Sequence, residues 1–598
     1  MLYLMAAGWV TLLLALLVAP PAWVAALGGA DLDLGPWRVT WFEFPGPLIA
    51  LAGVLLLPFY TGNASVRRRL GIALAWIGFA GVALVMWTPG IRTELIRVTS
   101  PLRPALLGWL GLALALPRRP AAPEARAWLT RAAWAAASLA GGAVMTWGVT
   151  QADRSDLVRR IAGSPASAPG PDVIMILIDT LRADALGVYG ARPSPSPFVD
   201  ALAGESVLFE MAVAQAPWTP PSVLALMTSV HPSTAWPTDS RARLARGVML
   251  NRLPPDLPAL GQRFSEAGFH TAGFVKNRLI GEGGFGQGFD VWELVGGDPA
   301  EEQSARQLTD AALRWAREFA HLRAADQVGA FLLYLHYMDP HINYQPPAAF
   351  VPPEARAYQG LADGSDHSLT RLRERQAGPS PEDVAYLRAM YQGEVAYLDS
   401  ELARLRQEFS SLGLWSDATV VAFVGDHGEQ FAEHDDFQHA DLHIENVHVP
   451  LLIKAPGFAP RRVSSLVRLI DVMPTLAELF SLEPSPYREG RSLVPAMRGA
   501  ELPPLPAITE YPDRGFRVNT PRYAIVLEPE NAELFDMRSD PRETQNLVAS
   551  LPAEAARLRS ILARHERREQ RFLREVGAPE RPLDPKAREE LQALGYVD

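Results

Sequence analysis

The stretch Asp172-Val173-Ile174-Met175-Ile176-Leu177-Ile178-Asp179 decides how the chain folds. Its apolar residues run almost without interruption, as a strand buried on both faces of a sheet requires. Similar short runs recur at Ala330–Leu335, Ala418–Val424 and Pro450–Ile453. Helical segments separate them, among them Asp383–Phe409, whose apolar residues return at three- and four-residue steps. Alternating strands and helices predict an α/β sandwich around a mostly parallel sheet, placed at 171–500. Near Tyr523–Met537 the pattern changes to short alternating strands with a turn. That predicts a smaller C-terminal α+β subdomain at 501–598.

Upstream of Asp172 the composition turns polar, ending in Gly163-Ser164-Pro165-Ala166-Ser167-Ala168-Pro169-Gly170. This suits a linker over 153–170. Before it lie runs without charge: Met1–Ala30, Phe44–Val66, Leu70–Ile91, Pro104–Pro117 and Ala132–Ala152. A spanning helix needs about 20 mostly apolar residues, and only Pro104–Pro117 is short. No basic n-region opens the chain, so a cleaved signal is not the reading. An all-α transmembrane region at 1–152 with about five helices is expected. Arg67, Arg68 and Arg69 follow the second run, and Arg118, Arg119, Arg126 and Arg131 follow the fourth. If both loops are cytoplasmic, everything after Ala152 lies on the outer side, periplasmic or extracellular. Arg92, Arg97 and Arg103 fall in a loop assigned outside and run against that bias. The uncharged spans suit an anchor better than a transport pathway.

At 598 residues the chain exceeds one core. Its net charge of −10 is not gathered in a tail, and no basic stripe suggests nucleic-acid binding. Cysteine is absent, which removes thiolates as nucleophiles or ligands.

In open α/β sheets ligands sit beyond the carboxyl ends of the strands. One strand delivers Asp179 there, and another delivers Asp426-His427-Gly428-Glu429. Either aspartate alone is more often a cap or turn former. Together they offer two carboxylates and an imidazole at one sheet edge, a metal-ligand set. In Trp218-Thr219-Pro220-Pro221-Ser222 the prolines predict a helix start. Thr219 at that terminus is an N-cap or a metal-activated nucleophile, and the free N–H groups would favour an anion.

These segments resemble the sulfatases of the alkaline-phosphatase-like superfamily. The similarity runs in order through Val173–Asp184, Thr219–Ser222, Gly268–Asn277, Gly284–Asp290, His336–Tyr344 and Tyr391–Asp399. It continues through Gly425–Glu429, His439, Val449–Gly457, Asp471–Leu476 and Glu533–Leu547 to the closing Leu594-Gly595-Tyr596-Val597. The resemblance implies an alkaline-phosphatase-like sandwich. It implies Asp179, Asp426 and His427 as ligands of at least one divalent metal, with Thr219 as nucleophile and ligand. His341 and His439 would contact the anion or protonate the leaving group, and Lys276 would bind ester oxygens; a solvated surface charge is the alternative for Lys276. His336 reads as structural, Glu429 and His434 as orienting residues, and Asp184 as a cap.

Sulfatases of this family oxidise a Cys or Ser to formylglycine. Thr219 carries a methyl on Cβ, so oxidation would give a ketone. Val223 stands where the extended motif usually has Arg, Thr180 replaces the second Asp of a common pair, and Asp426-His427 replaces Asp-Asn. Related phosphate-ester enzymes with multi-span anchors use a Thr nucleophile. The expectation leans to phosphodiester or phosphoryl-group chemistry on a lipid- or glycan-linked envelope substrate, by hydrolysis or transfer, with sulfate ester hydrolysis as the alternative. The mixed N/O ligand set favours Mn²⁺ or Zn²⁺ over Ca²⁺. A non-catalytic binding protein is the remaining reading.

Overall fold

The computed structural model describes residues 32–33, 38–39, 157–163, 170–235, 252–296, 304–374, 378–439, 441–511 and 514–576. The chain divides into two compact units, Met1–Asp156 and Leu157–Asp598. The expected spans within 1–152, the stretch 164–169 and the closing 594–597 lie outside the described residues. In the first unit, β1 (Leu32–Asp33) pairs antiparallel with β2 (Arg38–Val39). Among the described residues no helix is long and apolar enough to cross a membrane. Part of the expected linker is structured: residues 157–162 are helical, and Ile161 is buried in the core.

The second unit is built on a mixed eight-stranded sheet ordered β12-β4-β11-β8-β3-β7-β5-β6. Its centre is β3 (Val173–Ile178), parallel to β7 (Phe331–Tyr337) and β8 (Val420–Gly425). Towards one edge lie β5 (His270–Val275) and β6 (Val291–Leu294), also parallel. Towards the other lie β11 (His448–Lys454), β4 (Val207–Val213) and β12 (Arg461–Arg468). Only β11 is reversed, running antiparallel to both β8 and β4. The uninterrupted run in β3 is explained by its two faces. Ile174, Ile176 and Ile178 enter one core layer, while Val173, Met175 and Leu177 enter the other.

Helix α1 (Thr219–Thr228) packs in the second layer through Val223 and Leu224. After the short α2 (Pro232–Ala235) and α3 (Arg278–Glu282), α4 (Ser304–Ala324) and α5 (Pro381–Ser411) cover the first layer. A capping box of Ser380 and Asp383 starts α5, satisfying N–H groups that a helix end leaves open. The pair β9 (Gln430–Phe431) and β10 (Phe437–Gln438) forms a small hairpin after β8.

The C-terminal sheet is antiparallel and larger than the sequence pattern suggests. It runs β13 (Ala507–Tyr511), β14 (Gly515–Asn519), β15 (Tyr523–Leu527) and β16 (Ala532–Asp536), with α6 (Pro552–Val576) following. Glu510 N–H and Thr509 Oγ1 donate to the carbonyls of Gln215 and Ala214, tying this sheet to the segment just before α1.

Candidate active site

The carboxyl end of β3 presents Asp179 and that of β8 presents Asp426 and His427, all fully buried. One ligand atom from each lies within 4.8 Å of the others. His427 Nδ1 sits 3.0 Å from Gly428 O and donates to it. That leaves Nε2 as a lone-pair acceptor facing the carboxylates, 3.5 Å from Asp179 Oδ1 and 3.5 Å from Asp426 Oδ2. Asp426 Oδ1 accepts from the N–H groups of Thr180 (3.1 Å) and His427 (2.7 Å). Its Oδ2 is buried with no hydrogen-bond partner.

Thr219 Oγ1 lies 3.2 Å from His427 Nε2 and 3.4 Å from each oxygen of Asp179. Thr219 is the first residue of α1, and the N-cap position belongs to Trp218 in extended conformation. The cap alternative for Thr219 is thereby replaced. The expected cradle of free N–H groups is also reduced. Pro220 and Pro221 have none, and Ser222 N–H is directed at Trp218 O at 3.3 Å, so this turn can offer only the N–H of Thr219. Ser222 Oγ donates to Asp426 O at 2.6 Å and locks the helix start onto β8. Buried Val223 packs in the core, where the extended motif has a cation.

Two more imidazoles continue the site. The His439 ring lies 4.6 Å from that of His427 and 5.6 Å from that of His341. Glu429 Oε1 is 3.4 Å from His439 Nδ1 and orients it. His341 Nδ1 is fixed by Ile342 O at 2.8 Å, and its buried Nε2 has no hydrogen-bond partner. Lys276 is 3% exposed at the end of β5 and donates to Gln307 Oε1 on α4 at 2.7 Å. This replaces the surface-charge alternative, although the bond holds Lys276 towards Gln307. His434 stacks on His443 with centroids 3.6 Å apart, and Asp184 takes both ends of a guanidinium bond from Arg182.

Two contacts were not read from the sequence. Asn277 Nδ2 donates to Asp179 Oδ2 at 2.9 Å, while its Oδ1 caps α3. His336, read as structural, brings Nε2 to 3.5 Å from the same oxygen, with Tyr334 OH 3.2 Å from its Nδ1. The only cue was that both follow apolar runs ending at the same sheet edge. Thr180, beside Asp179, has φ 53, a conformation a β-branched residue seldom adopts. It is held by Tyr391 OH donating to its carbonyl at 2.7 Å.

Burial would raise Asp179, but His336, His341 and His427 outweigh it and hold the carboxyl well below its usual range. Asp426 is pushed well up by burial and then by the charge of Asp179. His427 is pushed well down by burial and then by His439, which keeps the imidazole neutral and fit to ligate. The two carboxylates, the inward Nε2 and the unpartnered Asp426 Oδ2 thus fit a divalent cation.

A sequence profile described as Sulfatase matches residues 171–482, more than half of the 598-residue chain. The chain belongs to the sulfatase family. It is therefore a hydrolase acting on ester bonds, in a family that typically uses a divalent metal. The uncharacterized sulfatase YidJ of Escherichia coli is 24% identical over 425 residues, covering 63% of this chain and 83% of that protein. The multifunctional alkaline phosphatase superfamily protein PehA of Trinickia caryophylli is 25% identical over 486 residues, covering 65% and 93%. A phosphonate monoester hydrolase structure from Agrobacterium radiobacter shares the fold, with a TM-score of 0.54 at 20% identity over 67% of this chain and 96% of that one.

Proposed function

We propose that the chain cleaves an anionic ester through Thr219 at a divalent-metal site formed by Asp179, Asp426 and His427. The carrying observation is Thr219 Oγ1 within 3.4 Å of Asp179 and 3.2 Å of His427 Nε2. A divalent cation bound there supplies Lewis-acid polarisation and lowers the pKa of a hydroxyl. Thr219 Oγ attacks the sulfur or phosphorus while its proton passes to solvent water, and the bond to the ester oxygen breaks so that this oxygen leaves as the alcohol. His341 or His439 gives that oxygen its proton. Water then releases the anion from the threonine ester and regenerates the hydroxyl. Asp179 is kept ionised by the surrounding imidazoles, His336 among them, and is oriented by Asn277.

Sulfate esters are the first substrate reading, favoured by the family and by the relatives named as sulfatases. A specific observation favours a second, phosphate- or phosphonate-type ester. Thr219 cannot become formylglycine, and PehA is described as multifunctional within the alkaline phosphatase superfamily. Transfer to another alcohol would share the same site. The charge-free runs in 1–152 support an anchored enzyme with its hydrolase domain on the outer side. Mn²⁺ or Zn²⁺ suits the mixed donors better than Ca²⁺.

Parallel assay of an aryl sulfate, a phosphomonoester and a phosphodiester with each of these ions separates the readings. Sulfate cleavage alone supports the first, and phosphate-type cleavage alone supports the second. Hydrolysis of none with any ion would remove the proposal.

A further inference from the structure

A second His and carboxylate cluster lies apart from Asp179, Asp426 and His427 and shares no residue with them. His231, just beyond α1, Glu510 on β13 and His565 on α6 are 4%, 3% and 9% exposed. Glu510 Oε1 lies 2.9 Å from His565 Nε2 and 3.5 Å from His231 Nδ1. The imidazole centroids are 4.4 Å apart. One ligand atom from each residue falls within 4.8 Å of the others.

The carboxylate is held from behind. Ser233 N–H donates to Oε2 at 2.8 Å and Ser233 Oγ to Oε1 at 2.7 Å. His231 is fixed through its backbone N–H, which donates to Glu489 Oε2 at 2.6 Å. Hydrogen bonding alone does not satisfy the cluster, because His231 Nδ1 is buried and has no hydrogen-bond partner. Both imidazoles converge on one carboxylate oxygen, which also accepts from Ser233 Oγ.

We infer that His231, Glu510 and His565 form a structural site for a zinc-class divalent cation that fastens α6 to the end of the nucleophile helix. Two imidazoles and one carboxylate are a zinc ligand set. Tetrahedral bonds of about 2.0–2.1 Å place ligand atoms about 3.3 Å apart, between the 2.9 and 3.5 Å seen here. A water or the Ser233 hydroxyl completes the fourth position. The ligands come from three segments distant in sequence, so an ion there closes long loops and stabilises the folded chain.

The test uses the full chain carrying Asp179→Asn and Asp426→Asn, which disables the first site. The protein is stripped with chelator, reloaded with Zn²⁺ alone and desalted, and its metal content is measured. About one equivalent per chain is expected, lost on adding His565→Ala or His231→Ala. Co²⁺ in place of Zn²⁺ should give the visible bands of a four-coordinate ion, absent from both variants. Should an alanine variant not fold, Glu510→Gln serves. Zn²⁺ should raise Tm by several degrees when the cluster is intact and leave the Gln variant unmoved. No zinc in the disabled-site protein, or zinc unchanged by these substitutions, would overturn the inference. The readout is metal, not turnover, so it fails or succeeds independently of the ester chemistry.

Discussion

Two of the places in the hydrolase unit that bury charge settle it in opposite ways. In the C-terminal sheet, Arg517 and Glu543 are both at 0% side-chain exposure. Arg517 gives both its terminal nitrogens to Glu543, its Nε to Asn519 Oδ1, and a further bond to Leu442 O at 3.0 Å. Glu543 Oε2 also accepts from Ile444 N–H at 3.0 Å. At the strand ends, Asp179 and Asp426 are equally buried, and they accept hydrogen bonds from Asn277, Thr180 and His427. A buried charge is costly unless paired. The first cluster is closed on itself, whereas the proposed divalent cation would complete the second. That imbalance is what separates a site from a staple.

Mutation of a proposed ligand has the largest expected effect. Asp426→Asn should lower kcat by at least about a thousandfold, as loss of a group acting at the reacting centre does. The same substitution should raise the Tm of metal-free protein. The sign follows from linkage: the folded Asp426 pKa lies above its ordinary 3.8, so at neutral pH this carboxyl costs folding stability that Asn does not. A lower Tm in metal-free Asp426→Asn would refute the imbalance.

Arg517→Ala should do the reverse, costing about 3–5 kcal/mol of stability by leaving Glu543 uncompensated. Denaturant unfolding checks it, and a loss under about 1 kcal/mol would remove the contrast. Next to this pair, His443 is pushed up to about 9: burial opposes the charge, but the Asp441 carboxylate 2.9 Å from Nδ1 outweighs it. Its contribution, about 3 kcal/mol at most, is fully present below pH 6.5 and is lost as pH rises through about 9. The stability gap between the wild-type chain and His443→Ala should therefore narrow across that window. A gap that widens with pH would contradict the assignment.

The smallest effect sharpens the site side. Asn277→Ala removes the bond to Asp179 Oδ2 and should weaken divalent-metal affinity about 10–100-fold, as second-layer partners do. Isothermal titration with Mn²⁺ reads it, and unchanged affinity would make Asn277 merely a cap of α3.

What was legible in the sequence was local. The run at Val173–Ile178, the strands ending at Asp179 and Asp426, and the helix opening at Thr219 follow from period and punctuation within about ten residues. Contacts made across the chain were not. Asn277 and His336 reach Asp179 only because β5, β7 and β3 are neighbours, and nothing in those segments states their order. The reversal of β11 was hidden for the same reason, since a buried strand is apolar whichever way it runs. Pro220 and Pro221 carried a cue that was read only in part: prolines that favour a helix start also remove the N–H donors an anion would use. The His231, Glu510 and His565 cluster spans more than 300 residues of sequence, beyond any motif.

In the proposed mechanism Thr219 carries the ester chemistry while Asp179, Asp426 and His427 hold the metal. Its most direct test is the turnover of Thr219→Ala on whichever ester the native chain cleaves, measured beside its metal content. We expect kcat to fall by at least about a thousandfold with at least part of the metal retained. Turnover within about tenfold of the native chain, at equal metal content, would contradict it.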